Sequence, residues 1–111
     1  MRPQKVIVLG ATGTIGRRTL DVLKQLQQAD PSWECVGLAC GTRIDPLFEE
    51  SQIFWPSAKI ASVVEDDRTD YCGVDAALQL VEACASSETI VVSAIVGAAG
   101  LRPTLRAIEL G

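Results

Sequence analysis

Lys5-Val6-Ile7-Val8-Leu9 is a short, continuous apolar run rich in β-branched side chains and halted by Gly10. Such a run suits a strand buried on both faces of a parallel sheet. A helix is expected next. Ile15, Thr19, Val22, Leu23 and Leu26 recur at helical spacing, Arg17, Arg18, Asp21, Lys24 and Gln25 supply a wet face, and Asp30-Pro31-Ser32 breaks the pattern. Cys35-Val36-Gly37-Leu38-Ala39, ended by Gly41, reads as a second buried strand. Strand, helix and strand in so few residues make a βαβ unit, whose crossover is right-handed in nearly all cases.

The pattern weakens in the middle. Asp45 to Ile53 predicts a short helix with Leu47, Phe48 and Ile53 inward, and Asp45-Pro46 resembles an N-cap followed by Pro at the first helical position. Ile60 to Val64 reads as a third strand, followed by the polar run Glu65-Asp66-Asp67-Arg68-Thr69-Asp70. Ala76 to Ala83 is then expected as a helix and Thr89 to Ile95 as a strongly apolar strand. Gly97-Ala98-Ala99-Gly100 opens a last helix, with Leu101, Leu105 and Ile108 at i, i+4 and i+7, Pro103 near its start and Gly111 as C-cap. Strands alternating with helices imply a mostly parallel, open α/β sheet, here a single domain over residues 1–111.

Between the first strand and its helix lies Gly10-Ala11-Thr12-Gly13-Thr14-Ile15-Gly16, a G-x-x-G-x-x-G loop in the setting that gives such a motif meaning. Gly10 allows a tight turn off the strand, Gly13 lets backbone N–H groups approach a pyrophosphate, and Gly16 lets the helix pack closely on the sheet. The helix start adds oriented donors and partial positive charge. Thr12 and Thr14 can cap that end or donate hydroxyls to phosphate oxygens, with Ile15 between them and Gly16. The same loop could also be a plain glycine-rich turn. With it the sheet becomes Rossmann-like, with helices on both faces.

Which dinucleotide is read at the end of the second strand. NAD sites place an acid there for the ribose 2′-hydroxyl, whereas NADP sites supply a cation for the 2′-phosphate. Here the chain has Gly41-Thr42-Arg43 and no acid before Asp45. Arg43 can fork onto a phosphate and Thr42 can donate to it, so NADP is favoured over NAD; a merely solvated Arg43 is the alternative.

Composition narrows the chemistry. The 111 residues contain no His, which removes Ser-His and Cys-His nucleophile pairs and His-based zinc sites. A net charge of -4 argues against a nucleic-acid partner. Cys35, Cys40, Cys72 and Cys84 form no C-x-x-C pair and are expected to be reduced, buried hydrophobes. No stretch reads as a secretory signal or reaches the roughly 18 apolar residues of a membrane span, so a cytoplasmic protein with no membrane partner is expected.

A loop of this kind also opens short-chain dehydrogenases, semialdehyde dehydrogenases and other reductases. A short-chain dehydrogenase is disfavoured because no Tyr-x-x-x-Lys pair occurs: the single Tyr71 is followed at three and four residues by Val74 and Asp75. The far end discriminates. Ala94 to Ile108, A-I-V-G-A-A-G-L-R-P-T-L-R-A-I, resembles a segment of the 1-deoxy-D-xylulose 5-phosphate reductoisomerases, as does Thr19-Leu20-Asp21-Val22 after the glycine loop. The resemblance spans nearly the whole chain.

That resemblance implies conversion of 1-deoxy-D-xylulose 5-phosphate into 2-C-methyl-D-erythritol 4-phosphate, an early step of non-mevalonate isoprenoid biosynthesis, by a metal-assisted rearrangement and hydride transfer from NADPH. It places Thr12, Gly13, Thr14 and Ile15 at the pyrophosphate and Gly41, Thr42 and Arg43 near the adenosine ribose phosphate. It further implies a homodimer and a divalent Mg or Mn ion in the full-length family. The Gly97–Gly100 loop either approaches the nicotinamide half or is a packing turn.

Three departures from the family stand out. Most members carry Gly-Lys-Asn where this chain has Gly41-Thr42-Arg43, so the cation is shifted by one place. The acidic metal ligands, substrate-phosphate site, lid and carboxy-terminal domain of the family lie beyond the point corresponding to Gly111, and Glu65, Asp66 and Asp67 read as a solvated acidic turn rather than as replacements. Between Val64 and Cys72, moreover, only a polar run stands where members have a helix. A regular parallel crossover needs about a dozen residues, so either the short strand near Gly73 is lost or the chain is an internally deleted copy. The expectation is an incomplete, amino-terminal NADPH-binding fragment, catalytically inactive alone, such as a truncated or degraded gene product would be. The alternative is a stand-alone dinucleotide-binding remnant or sensor.

Overall fold

In the computed structural model the apolar run at the amino end forms β1 (Gln4–Leu9), with Val6, Ile7, Val8 and Leu9 all buried. The structure describes residues 4–86, 89–95 and 101–110. The Gly97–Gly100 loop and the Gly111 cap therefore lie outside the described residues. Then follow α1 (Thr14–Ala29), β2 (Trp33–Cys40), α2 (Ile44–Phe54), β3 (Lys59–Ser62), β4 (Tyr71–Cys72), α3 (Ala76–Cys84), β5 (Thr89–Ser93) and α4 (Leu101–Leu110). All four strand pairings are parallel and the order is β4-β3-β2-β1-β5, the expected Rossmann-like sheet. From β1 the chain steps outward to β4, then returns to lay β5 on the other side of β1. That reversal makes a topological switch point at the carboxyl ends of β1 and β5.

The alternation of β1 divides the apolar side chains between two cores. Val6 and Val8 join Leu20 and Leu23 of α1 with Ile44 and Leu47 of α2. Ile7 and Leu9 face the other way, onto Ala76, Leu80 and Val81 of α3. Gly37 of β2 permits this second contact, because a Cβ there would come within 3.1 Å of Leu80 Cδ1.

Several helix faces differ from those the spacing suggests. In α1 the buried residues are Gly16, Leu20 and Leu23, while Ile15 and Val22 are 63% and 53% exposed. The phase is set by Gly16, which must face the preceding loop, and residues four and seven places on share its side of the helix. Lys24 leaves the wet face to pair with Glu50 of α2 at 2.8 Å and to lie over the Phe54 ring. In α2 the N-cap is Arg43, not Asp45, and Ile44, Leu47 and Ser51 point inward, with Ile53 exposed. Burying Ile44 draws the helix start back. Asp45, now within the first turn, still meets the positive end of the helix dipole. In α4 Pro103 is buried, whereas Leu105 and Ile108 are exposed. β3 stops at Ser62 because the Gly41 carbonyl accepts the Val63 and Val64 N–H groups, at 3.0 and 3.4 Å.

The short strand is kept as β4, although residues 63–70 contain no helix. β4 pairs only with Ala61 and Ser62, so the return descends about two residues, roughly 7 Å, and needs no full crossover. The acidic run stiffens this turn. Asp66 accepts from the Arg68 backbone N–H and Nε, both at 2.9 Å, and from Nη2 at 2.8 Å, while Arg68 also reaches Asp45 at 2.7 Å. Asp70 accepts the Ile60 N–H at 2.8 Å and so ties the turn to β3.

All four cysteines are free. Cys35 and Cys40 are buried, and burial pushes their thiols up to about 12 and about 11. Cys84 is half-buried and Cys72 is exposed on the edge strand, which corrects the expectation of four buried thiols. No described helix is long and apolar enough to cross a membrane.

Leu80 is fully buried where α3 meets the sheet, so Leu80→Ala should cost about 2–5 kcal/mol of unfolding free energy by urea denaturation. Leu105→Ala, on an exposed face, should cost less than about 0.5 kcal/mol. For the turn, Asp66 is held down at about 2 by the Arg68 hydrogen bonds, against about 3.9 when unfolded. Its stabilising contribution is then complete above about pH 4 and is lost as the pH falls through about 2. Asp66→Asn should lower the urea midpoint at pH 7, and the difference from wild type should close across that acid window.

Candidate functional site

The carboxyl ends of β1 and β2 lie side by side, with Leu9 opposite Ala39, and the two loops that follow them share one edge of the sheet. The first loop is anchored by its own backbone: Gly10 N–H and Ala11 N–H both donate to the Ala39 carbonyl, at 3.0 and 2.8 Å, and Gly13 N–H donates to Gly10 O at 3.2 Å. On the other side Ala94 N–H donates to Leu9 O at 2.8 Å and brings the end of β5 against the loop.

The three glycines of the motif have different reasons to be glycine. Gly10 has φ +79°, and a Cβ there would stand 2.8 Å from the Ala94 carbonyl carbon. Conformation and close approach both exclude a side chain. At Gly16 a Cβ would lie 2.0 Å from Gly10 O and 2.8 Å from Ala11 Cα, so α1 can rest on the loop only without one. Gly13 is unlike both. Its backbone is extended (φ −77°, ψ 174°), the residue is exposed, and the nearest atom to a Cβ would be Gly10 O at 3.6 Å, an ordinary contact. Nothing in the described chain requires the missing side chain.

Gly13 is also the N-cap of α1, and no side chain caps that end. Arg17 N–H makes the first helical bond, to Gly13 O at 2.9 Å. The N–H groups of Thr14, Ile15 and Gly16 precede it in the helix and have no intrahelical acceptor, as at any helix start. Together they form an oriented set of donors with partial positive charge, beside the hydroxyls of half-buried Thr12 and exposed Thr14.

The second loop brings Gly41, Thr42 and Arg43 to the same edge, all exposed, with Gly41 having no atom within 4 Å of a Cβ position. Between the loops α1 and α2 flank a cavity of about 170 Å³, lined by Thr12, Arg17, Lys24, Arg43 and Glu50 among others. The Lys24–Glu50 pair lies within it. Sequence spacing places Arg17 only on a wet face; that it turns into this cavity depends on the phase of α1 and on the position of α2. All nine residues expected at the site thus lie on the two loops or on the first turn of α1.

The residues on these loops do not suit the divalent ion that the resemblance implies for the full-length family. Among the described residues no three His, Cys, Asp or Glu side chains converge as metal ligands, and Asp66 is already committed to Arg68. A dinucleotide fits better. The unfilled space over Gly13, the uncapped donors and a cationic neighbour match the needs of a pyrophosphate and a second phosphate.

Comparison with known proteins identifies the family. Residues 6–111 match the family model described as 1-deoxy-D-xylulose 5-phosphate reductoisomerase. The reductoisomerase of Chlorobium phaeovibrioides is 37% identical over 118 residues, covering 94% of this chain and 29% of that protein. That of Mycobacterium leprae is 37% identical over 117 residues, covering 96% of this chain and 26% of the relative. The chain therefore spans less than a third of the length of these relatives. Among solved structures, the Zymomonas mobilis reductoisomerase in complex with NADPH superposes with a TM-score of 0.77 at 27% identity, covering 99% of this chain and 30% of that one. A reductoisomerase in complex with NADPH, fosmidomycin and magnesium gives 0.73 at 30% identity, covering 97% of this chain and 28% of that one. With its glycine loop, its parallel sheet and a match over nearly its whole length, the chain belongs to the 1-deoxy-D-xylulose 5-phosphate reductoisomerase family.

Proposed function

We propose that residues 1–111 form one dinucleotide-binding domain, the NADPH-binding amino-terminal part of an enzyme that converts 1-deoxy-D-xylulose 5-phosphate into 2-C-methyl-D-erythritol 4-phosphate. The observation that carries the reading is Gly13: its missing side chain is unexplained by the protein's own packing and is explained by a pyrophosphate lying over it. Gly10 and Gly16 build the loop, and Thr12, Gly13, Thr14 and Ile15 present donors to the phosphates. Gly41 and Thr42 leave room and a hydroxyl beside the adenosine ribose, and Arg43 provides charge for its 2′-phosphate. NADPH held there supplies the hydride for reduction. The chain's own part is to bind and orient it, with the pyrophosphate drawn to a helix end. Four free thiols support a reducing, cytoplasmic setting.

The glycines provide the test. Gly13→Val should leave the thermal midpoint near wild type while weakening NADPH binding at least about ten-fold, read by fluorescence titration or calorimetry. Gly16→Val should unfold or strongly destabilise the chain, because its side chain would strike backbone 2.0 Å away. Unchanged NADPH affinity in Gly13→Val refutes the assignment. In a coupled assay with 1-deoxy-D-xylulose 5-phosphate, NADPH and Mg²⁺, the 111-residue chain should bind cofactor without consuming it, and sustained oxidation of NADPH would overturn that expectation.

A further inference from the structure

The cavity between α1 and α2 carries more charge than the expected cation at the end of β2. Its lining holds three cations, Arg17, Lys24 and Arg43, and two acids, Asp21 and Glu50. Lys24 is engaged with both acids, with Glu50 at 2.8 Å and with Asp21 at 3.8 Å. Neither Arg17 nor Arg43 makes an ion pair with any described residue. The salt bridge neutralises part of the lining and leaves two exposed guanidiniums whose charge is not met within the protein.

The two arginines come from different places. Arg43 is the N-cap of α2, at the end of β2 where the ribose 2′ substituent is read in such folds. Arg17 stands in the first turn of α1, four residues after Gly13, so it is tied to the pyrophosphate loop itself. A cavity of about 170 Å³ is below the roughly 300–1,000 Å³ of sites that enclose a whole ligand. It suits one group of a ligand that lies across its mouth from the first loop to the second.

We infer that Arg17 and Arg43 together clamp the 2′-phosphate of the dinucleotide, with Arg17 a specificity-determining residue for NADPH over NADH; this rests on the reading of the glycine loop as the pyrophosphate site. Two planar guanidiniums approaching from α1 and from α2 can each donate to a phosphate dianion, which has enough acceptor oxygens for both. The second cation makes up for the displaced positive charge at Gly41-Thr42-Arg43. It also makes discrimination depend on how α1 and α2 are held together, and therefore on the Lys24–Glu50 pair.

The test titrates the 111-residue chain and its Arg17→Gln, Arg43→Gln, double and Arg18→Gln variants with NADPH, NADH and 2′,5′-ADP. Arg18 is exposed, carries the same charge and does not line the cavity, so Arg18→Gln reports the effect of net charge alone. Arg17→Gln should weaken NADPH and 2′,5′-ADP by about ten-fold or more and leave NADH within about two-fold, as should Arg43→Gln. The double variant should bind NADPH and NADH about equally, and Arg18→Gln should behave as wild type. If Arg17→Gln weakens NADPH and NADH alike, Arg17 serves the pyrophosphate and the inference fails. It fails equally if wild type prefers NADPH and Arg17→Gln keeps that preference, although the reading of the loop then stands. Wild type that binds neither dinucleotide overturns both.

Discussion

Helix α1 begins where it does because residue 16 has no side chain. The Gly10 carbonyl oxygen occupies the place where a Cβ of residue 16 would be, so helix backbone rests directly on loop backbone. This close approach fixes the phase of α1, and the phase sends Leu20 and Leu23 into the core with Val6 and Val8. It also turns Arg17 and Lys24 toward α2, where Lys24 meets Glu50. The candidate site and the first core are two results of one steric contact.

The sheet order supplies the rest of the setting. Because β1 lies between β2 and β5, the loop after β1 is held from both sides, by Ala39 through two hydrogen bonds and by the Ala94 N–H, which donates to Leu9 O at the loop's root. A loop so braced can leave helix-start N–H groups unpaired without collapsing onto them, which is the preorganisation an anion site requires.

At the other end of the sheet the chain manages with less than its family pattern. Residues 63–70 return to a parallel strand without a helix because β4 is so short, and side-chain hydrogen bonds from Asp66, Arg68 and Asp70 replace the packing a helix would supply. The Arg68 guanidinium extends this turn to α2 through Asp45 and lies over the Phe48 ring, 5.5 Å from its centroid. The second loop of the site is thereby steadied from its far side.

Strand and helix alternation, the three glycines and the absence of an acid after β2 were all legible in the sequence, because each depends on neighbours within a few residues. Periodicity also located every described helix, yet it mistook the inward face of α1, where Ile15 and Val22 are exposed, and that of α4, where Leu105 and Ile108 are. An apolar stripe says that a helix has a face, not which contact sets its rotation. The family resemblance lay in local strings, and so was readable as well. What only the tertiary structure decided is which glycine is left without a packing reason, and that Arg17 and Arg43, far apart along the chain, line one cavity with a neutralising pair inside it. Those facts are distances between elements, and they arise when α1 and α2 pack side by side on the same face of the sheet.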